Sequence, residues 1–133
     1  MDYLVFISHS TIDTWVARQV SDRIKRLGAT TFLDAEVIES GDEFDPIIFE
    51  NLKNATELVV LLTPWAIERK YIWMEIGCAQ MRGIRIVGVV YGLTINEFLT
   101  QSQSTPLSRR NLIAINDLDA YFYELSKRIF SKP

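Results

Sequence analysis

The chain has 133 residues, enough for one domain that buries roughly two-thirds of its surface but too few for a second domain. Apolar residues make up 48% and charged residues 23%, which excludes a disordered chain. The net charge of −3 argues against nucleic acid or an anionic membrane as the partner.

The scarcity of cysteine and histidine excludes several kinds of site. Cys78 is the single cysteine and His9 the single histidine, so an intramolecular disulfide, a cysteine-based zinc site and a two-histidine metal site are all impossible, and we expect no metal. Apolar runs reach only five residues, as at 58–62, far short of the ~20 that span a bilayer. The first residues also lack a secretory signal, so a cytoplasmic location is expected.

Short apolar runs alternate with stretches of helical periodicity along the chain. The runs are rich in β-branched and aromatic residues, and apolar residues occupy both faces, as in strands of a buried parallel sheet. The predicted strands are 3–7, 29–33, 58–62, 84–90 and 111–115.

Helices are predicted between the strands, because apolar residues there recur at helical spacing. Ser10 with Asp13 forms a candidate cap for the first helix, and Gly83 ends the third. The segment 95–99 is expected to form a helical turn, and Asp117 to cap the last helix.

Strands separated by helices predict parallel pairing with right-handed crossovers. Five strands of this kind favour an α/β, flavodoxin-like, doubly wound parallel sheet, order 2-1-3-4-5, flanked by helices. Such sheets bind ligands beyond the carboxyl ends of their strands, at the switch point between strands one and three. Residues 8–11, residues 63–65 and the loop after the second strand are therefore the candidate site region.

Two kinds of doubly wound protein suggest ligands for this region. A phosphoacceptor receiver domain needs acidic residues where this chain has Ser8-His9-Ser10 and Thr63, and a lysine where it has Asn116, so its Mg²⁺ site cannot be built. The hydroxyl-rich residues 8–11 open a helix, which suits either phosphate binding, as in a flavodoxin, or a simple helix cap. They lack the glycines of a phosphate-binding loop.

Four segments together resemble the signature of TIR (Toll/interleukin-receptor/resistance-protein) domains. They are LVFISHSTID at 4–13, FLD at 32–34 followed by an acidic loop, LVVLLTP at 58–64, and YIWMEI at 71–76. The resemblance extends over nearly the whole chain, so we expect a single TIR domain over 1–133. It is similar to the stand-alone prokaryotic type.

Many TIR domains cleave NAD⁺ at the nicotinamide–ribose bond, and the resemblance implies that Glu75 is the catalytic residue. NAD⁺ is then the substrate, and no cofactor is expected. The expected reaction is that of a glycohydrolase or an ADP-ribosyl cyclase. It would make a signal molecule for a downstream effector or deplete NAD⁺ in antiviral defence. The substrate-binding residues implied by the resemblance are Phe6, Ser8, His9, Ser10, Tyr71 and Trp73.

The chain departs from the enzymatic pattern at two places. Tyr71 stands where the family has tryptophan, and Trp73 falls on a different helical face from Glu75. The loop after the second strand is acidic, where enzymatic members often have a basic residue. We expect Arg69, Lys70 or a neighbouring subunit to supply the positive charge that the phosphates need.

The resemblance assigns that acidic loop to TIR–TIR contacts in a homo-oligomer, docking on the basic run 23–26 or on Arg109-Arg110. The alternative function is a non-enzymatic adaptor that acts by TIR–TIR association. A third reading is a nucleotide sensor that binds NAD⁺ without turnover. The expected interface residues are Asp34, Glu36, Glu39, Gly41 and Asp42.

Overall fold

The computed structural model describes residues 3–34, 46–102 and 105–131. The strands in these residues are β1 (Leu4–Ser8), β2 (Thr30–Asp34), β3 (Glu57–Leu62), β4 (Arg85–Val90) and β5 (Leu112–Ala114). The α-helices are α1 (Thr14–Arg26), α2 (Pro46–Asn54), α3 (Lys70–Arg82), α4 (Ile95–Gln101) and α5 (Leu118–Ser131). The strands form one parallel sheet in the order β2-β1-β3-β4-β5, which confirms the predicted doubly wound architecture.

Helices cover both faces of the sheet and create two apolar layers. All six residues of β3 are buried, because β3 lies between β1 and β4 and both of its faces meet helices. One layer joins the sheet to α2, α3 and α4, and the other joins it to α1 and α5. Large members of the first layer are Phe6, Leu52, Leu58, Ile72, Ile76 and Phe98, and members of the second are Ile7, Val20, Ile24, Tyr121 and Leu125.

The predicted helix ends differ in how closely they match the structure. Gly83 ends α3 in the left-handed conformation at φ 69°, with its amide bonded to the carbonyl of Gln80, as the sequence predicts. The predicted turn at 95–99 is a seven-residue helix, and Thr94 and Glu97 form a reciprocal capping box at its start.

The predicted cap formed by Ser10 and Asp13 is wrong. Residues Thr11–Asp13 form a short 3-10 helix before α1, and neither Ser10 nor Asp13 makes a side-chain cap. The Ser10 hydroxyl instead donates to the Asp13 carboxylate, which is buried. The two residues bond to each other rather than to the backbone, so Asp13 is available for contacts with other loops.

Leucine side chains from both neighbouring strands pack over Gly88 of β4. A Cβ atom on Gly88 would lie 2.7 Å from Cδ1 of Leu62 and 2.9 Å from Cδ2 of Leu112. These leucines come from the neighbouring strands β3 and β5. The absence of a side chain at Gly88 therefore lets both leucines fill the space over β4.

A buried ion pair lies at the amino end of β3. The Glu57 carboxylate is fully buried and accepts hydrogen bonds from the phenols of Tyr3 and Tyr121. Arg128 of α5 donates to it from Nε and Nη2, each at 3.2 Å. Burial, and then the neighbouring carboxylate of Glu57, raise the pKa of Tyr3 to about 12. The network ties β1, β3 and α5 together.

The described helices can be compared with the length and apolar character that a membrane-spanning helix needs. Among the described residues, no helix combines the length and the apolar character that crossing a bilayer requires.

Candidate functional site

Ser8 and Glu75 meet at the switch point of the sheet. Ser8 is the last residue of β1 and stands in register with Val60 of β3. Its hydroxyl donates a hydrogen bond to Oε1 of Glu75, which α3 brings over the same edge. Both side chains are completely buried. The carboxylate thus lies where doubly wound sheets bind their ligands.

Glu75 interrupts an otherwise apolar face of α3. Ile72, Ile76 and Ala79 share the buried side of the helix with it, and each is fully buried. A carboxylate in such a stripe loses its hydration, which is unfavourable unless polar groups replace the water. Packing alone would favour an apolar side chain at position 75, so the glutamate points to a chemical role.

A second buried carboxylate, Asp13, joins three loops at the carboxyl end of the sheet. Its Oδ2 accepts from Ser10 Oγ at 2.6 Å and from Thr63 Oγ1 at 2.9 Å. Its Oδ1 accepts from Trp65 Nε1 at 2.9 Å and from the Tyr91 hydroxyl at 2.6 Å. The four donors follow β1, β3 and β4, so one side chain fixes the loops after these strands relative to each other.

The Asp13 network also changes the chemistry of Tyr91. Burial, and then the hydrogen bond to the Asp13 carboxylate, raise the pKa of the Tyr91 phenol well above its ordinary value. The phenol therefore remains a neutral donor at physiological pH. Among the described residues, no lysine or arginine forms an ion pair with Asp13.

Three of the predicted site residues lie within the protein interior near Ser8. Phe6 is fully buried and packs on Phe32 with ring centroids 5.1 Å apart. His9 is also fully buried, and its Nδ1 lies 3.5 Å from the carbonyl oxygen of Ile7. Ser10 is held by Asp13. The structure therefore places Phe6 within β1 and His9 and Ser10 just beyond its carboxyl end.

The two predicted aromatic residues of α3 point in different directions. Tyr71 is one helical turn before Glu75 on the buried face, and the Arg69 guanidinium carbon lies 5.2 Å from the centre of its ring. Trp73 instead donates its indole N–H to the carbonyl of Ile67 at 2.8 Å and stacks on Phe98. Tyr71 thus shares a face with Glu75, whereas Trp73 packs towards α4.

The predicted interface residues cannot be placed in the same way. Glu36, Glu39, Gly41 and Asp42 lie outside the described residues, and Asp34 is described only as the end of β2. Their assignment to TIR–TIR contacts stays a prediction.

Three cavities lined by described residues lie away from Glu75. The largest, about 1320 Å³, runs between α3, α5 and the β4–β5 edge. A cavity of about 560 Å³ borders Trp73 and Ile67, and one of about 390 Å³ lies beyond the ends of β4 and β5. In the described part of the chain, no group of three or more acidic, histidine or cysteine side chains is arranged to hold a metal ion.

Sequence reasoning missed the linking role of Asp13. Its spacing from Ser10 predicts a helix cap, and this local pattern gives no sign of contacts with residues distant in sequence. The available signal was the presence of polar residues at the ends of three strands, namely Ser10, Thr63 and Tyr91. Buried donors of this kind need an acceptor, and Asp13 is the carboxylate closest in sequence to Ser10, the first of these donors.

Comparison with known proteins places this doubly wound fold in a family. The family model for the TIR domain matches residues 5–125, so the chain belongs to the TIR domain family. Comparison with curated proteins gave no significant match.

Solved structures share the fold at low sequence identity. The crystal structure of the RPS4 and RRS1 TIR domain heterodimer matches with a TM-score of 0.63 and 13% identity, covering 98% of this chain and 96% of that one. The TIR domains of the activated Roq1 resistosome directly recognizing the pathogen effector XopQ match with a TM-score of 0.58 and 15% identity, covering 96% and 83%.

Proposed function

We propose that this TIR domain cleaves the bond between nicotinamide and ribose in NAD⁺, with Glu75 as the catalytic residue. The observation that carries the proposal is the completely buried Glu75 carboxylate, bonded to Ser8 at the switch point of the sheet. Membership of a family that includes NAD⁺-cleaving enzymes adds support. One carboxylate in this position is the main equipment that the reaction needs.

The chemistry follows from the charge of the nicotinamide ring. When the bond between ribose C1′ and the ring nitrogen breaks, both electrons go to the nitrogen and neutralise the pyridinium, so the leaving group needs no proton. Positive charge develops on the ribose, as in other glycosyl cleavages. The Glu75 carboxylate would stabilise this charge and accept hydrogen bonds from the ribose hydroxyls. Water or a nucleophile within the substrate then attacks C1′ and releases a proton.

Ser8 has a defined part in this reaction. Its hydroxyl donates to one oxygen of the Glu75 carboxylate and so holds the plane of the carboxylate in one orientation. A fixed carboxylate does not have to reorganise as charge develops on the ribose. Since Glu75 is completely buried in this structure, the reaction also requires a conformation in which its carboxylate reaches the substrate.

The test is mass spectrometry of millimolar NAD⁺ incubated with concentrated protein, beside the variants Glu75→Gln and Glu68→Gln. Glu68 is an exposed glutamate just before α3, so it controls for loss of a carboxylate. We expect nicotinamide release by the wild type and Glu68→Gln, and release slower by at least about a hundredfold by Glu75→Gln. The mass of the second product distinguishes ADP-ribose from a cyclised product, which is one water lighter. A folded wild type that releases no nicotinamide at high concentration contradicts the proposal.

A second candidate function is an adaptor that acts by TIR–TIR association. Ile12, just before α1, and Trp15, in its first turn, are 69% and 71% exposed, and large apolar side chains on a surface favour partner binding. The acidic residues 34–45 offer opposite charge to basic runs such as Arg109-Arg110. Light scattering across a concentration series tests this function. Self-association that is lost on charge reversal at 36, 39 and 42, without NAD⁺ turnover, supports the adaptor.

A further inference from the structure

We infer that Asp13 is a positioning residue for the Glu75 carboxylate, acting through the loop 8–10 that joins the two. This inference rests on the proposed function of Glu75. Asp13 itself makes no contact with Glu75 among the hydrogen bonds of the described residues. Its effect would pass back along the chain just after β1, from Ser10, which it holds, to Ser8, which bonds Glu75.

Several hydrogen bonds from different loops hold the Asp13 carboxylate in place. Two donors reach each of its carboxylate oxygens, at distances between 2.6 and 2.9 Å. Trp65 and Tyr91 come from the loops after β3 and β4, so their positions are set by the sheet itself. Ser10 is therefore anchored to the two neighbouring strands and cannot drift independently of them.

The short distance along the chain makes this anchoring relevant to Glu75. Only His9 separates Ser10 from Ser8, and all three residues are buried. A shift of Ser10 would therefore be transmitted to the Ser8 hydroxyl, because buried, close-packed backbone has little room to absorb a displacement. A displacement of about 1 Å at a catalytic group can change a rate by about a hundredfold.

Glu57 offers a matched control at the opposite end of the sheet. It is also a fully buried carboxylate with four hydrogen bonds, from Tyr3, Tyr121 and two nitrogens of Arg128. A merely structural role of Asp13 predicts the same kinetic consequence for Asp13→Asn and Glu57→Gln. A positioning role predicts a consequence for Asp13→Asn alone.

Asparagine suits this test because most of the network can survive the change. Its amide oxygen can accept from Trp65 and Tyr91. Its amide group can donate to the hydroxyls of Ser10 and Thr63, since a hydroxyl is also an acceptor. The variant is therefore expected to fold. In it the Ser10 hydroxyl accepts a hydrogen bond from the asparagine amide instead of donating one to a carboxylate, so we expect Ser10 to move.

The experiment measures NAD⁺ cleavage kinetics in the full chain, at a temperature where both variants are folded. We expect Asp13→Asn to lower kcat by about tenfold, as loss of the Ser8 hydroxyl would, with KM within about twofold of wild type. Glu57→Gln is expected to keep kcat within about threefold. Equal decreases in kcat for the two variants, or an unchanged kcat for Asp13→Asn, would overturn the inference.

A second readout separates failure of this inference from failure of the proposed function. Carbon-13 NMR of side-chain-labelled glutamate reports the Glu75 carboxyl resonance, which is assigned by its loss in Glu75→Gln. We expect that resonance to move in Asp13→Asn and to stay unchanged in Glu57→Gln, whether or not NAD⁺ is cleaved. An inactive wild type overturns the function, whereas an unmoved Glu75 resonance in Asp13→Asn overturns the coupling.

Discussion

The two ends of the sheet treat buried negative charge differently. At the amino end, Glu57 is matched by the guanidinium of Arg128 and by two phenols. At the carboxyl end, Asp13 is held by four neutral donors and Glu75 by the Ser8 hydroxyl. Asp13 forms no ion pair with a described lysine or arginine.

The difference indicates which end stabilises the fold and which can act on a ligand. A carboxylate paired with arginine is electrically neutralised, so it has little attraction for other cations. Hydroxyl and indole donors hold the Asp13 side chain without adding a positive charge. In the proposed reaction, the Glu75 carboxylate at this end would attract the cationic nicotinamide ring.

The largest expected effect that tests this contrast is on catalysis at the carboxyl end. Glu75→Gln should lower kcat for NAD⁺ cleavage by about a hundredfold to a thousandfold, because the neutral amide cannot stabilise the charge on the ribose. The midpoint of thermal unfolding should stay close to that of wild type or rise, since a buried charge is removed. Steady-state kinetics and a thermal melt measure the two quantities. Retention of full activity would contradict the assignment of Glu75.

The next largest effect should be on stability at the amino end. Glu57→Gln leaves Arg128 without its anionic partner and should lower the free energy of unfolding by about 3 kcal/mol, the lower end for a broken buried ion pair, because Arg128 is partly exposed. Urea unfolding followed by circular dichroism measures this loss. The double variant Glu57→Gln with Arg128→Met should recover part of the stability. A loss below about 1 kcal/mol would place the pair among surface salt bridges.

A smaller effect is expected from the Ser8 hydroxyl. Ser8→Ala should lower kcat by about tenfold, because the Glu75 carboxylate loses the donor that orients it. The matched control is Ser21→Ala, which removes another buried hydroxyl whose partner, at 2.7 Å, is Thr31 Oγ1. The two variants should lose similar stability in urea, while the Ser21 variant keeps its activity. Equal activity in both would show that Ser8 serves packing alone.

The smallest effect is a pH dependence that both ends share. In the folded chain the pKa of Tyr3 is raised from 10.0 to about 12, and the pKa values of Tyr91 and Tyr121 are raised as well. Above pH 10 the unfolded chain releases protons that the folded chain keeps, so the free energy of unfolding should fall as pH rises. For Tyr3 the contribution is fully present below pH 10 and is lost as pH rises through about 12.

Urea unfolding at several alkaline pH values measures this slope, and phenolate absorbance follows the titration directly. Tyr3→Phe tests the amino end and Tyr91→Phe the carboxyl end, and each should make the slope shallower. A slope that neither substitution changes would show that other groups control alkaline unfolding.

The fold could be predicted from the sequence because its signals are local and mutually consistent. Each strand is a short apolar run, and α3 ends at Gly83, where the left-handed conformation favours glycine. Strand ends shifted by about one residue. The prediction of strand 111–115, for example, became Leu112–Ala114, because apolar residues on both sides of a strand do not mark where pairing stops.

The candidate site was less predictable, because its contacts join residues distant in sequence. The Ser8–Glu75 bond spans 67 positions, and the resemblance, not the spacing, indicated Glu75. The links from Asp13 to Trp65 and Tyr91 span 52 and 78 positions, and the adjacent Ser10 made a local cap the simpler reading. Hydrogen-bond partners across loops depend on how strands align, which periodicity does not reveal.

The packing around Gly88 limits which substitutions the protein can accept at this position. A Cβ atom at this position would lie under 3.0 Å from a terminal methyl group of Leu62 and of Leu112. These methyl groups end flexible side chains, so alanine at Gly88 can be accepted when both leucines shift. A larger residue would overfill the shared volume, and a smaller residue at position 62 or 112 should then recover stability. Random mutagenesis with selection for folded protein should therefore recover alanine alone, and larger residues at Gly88 together with a change at one of the leucines.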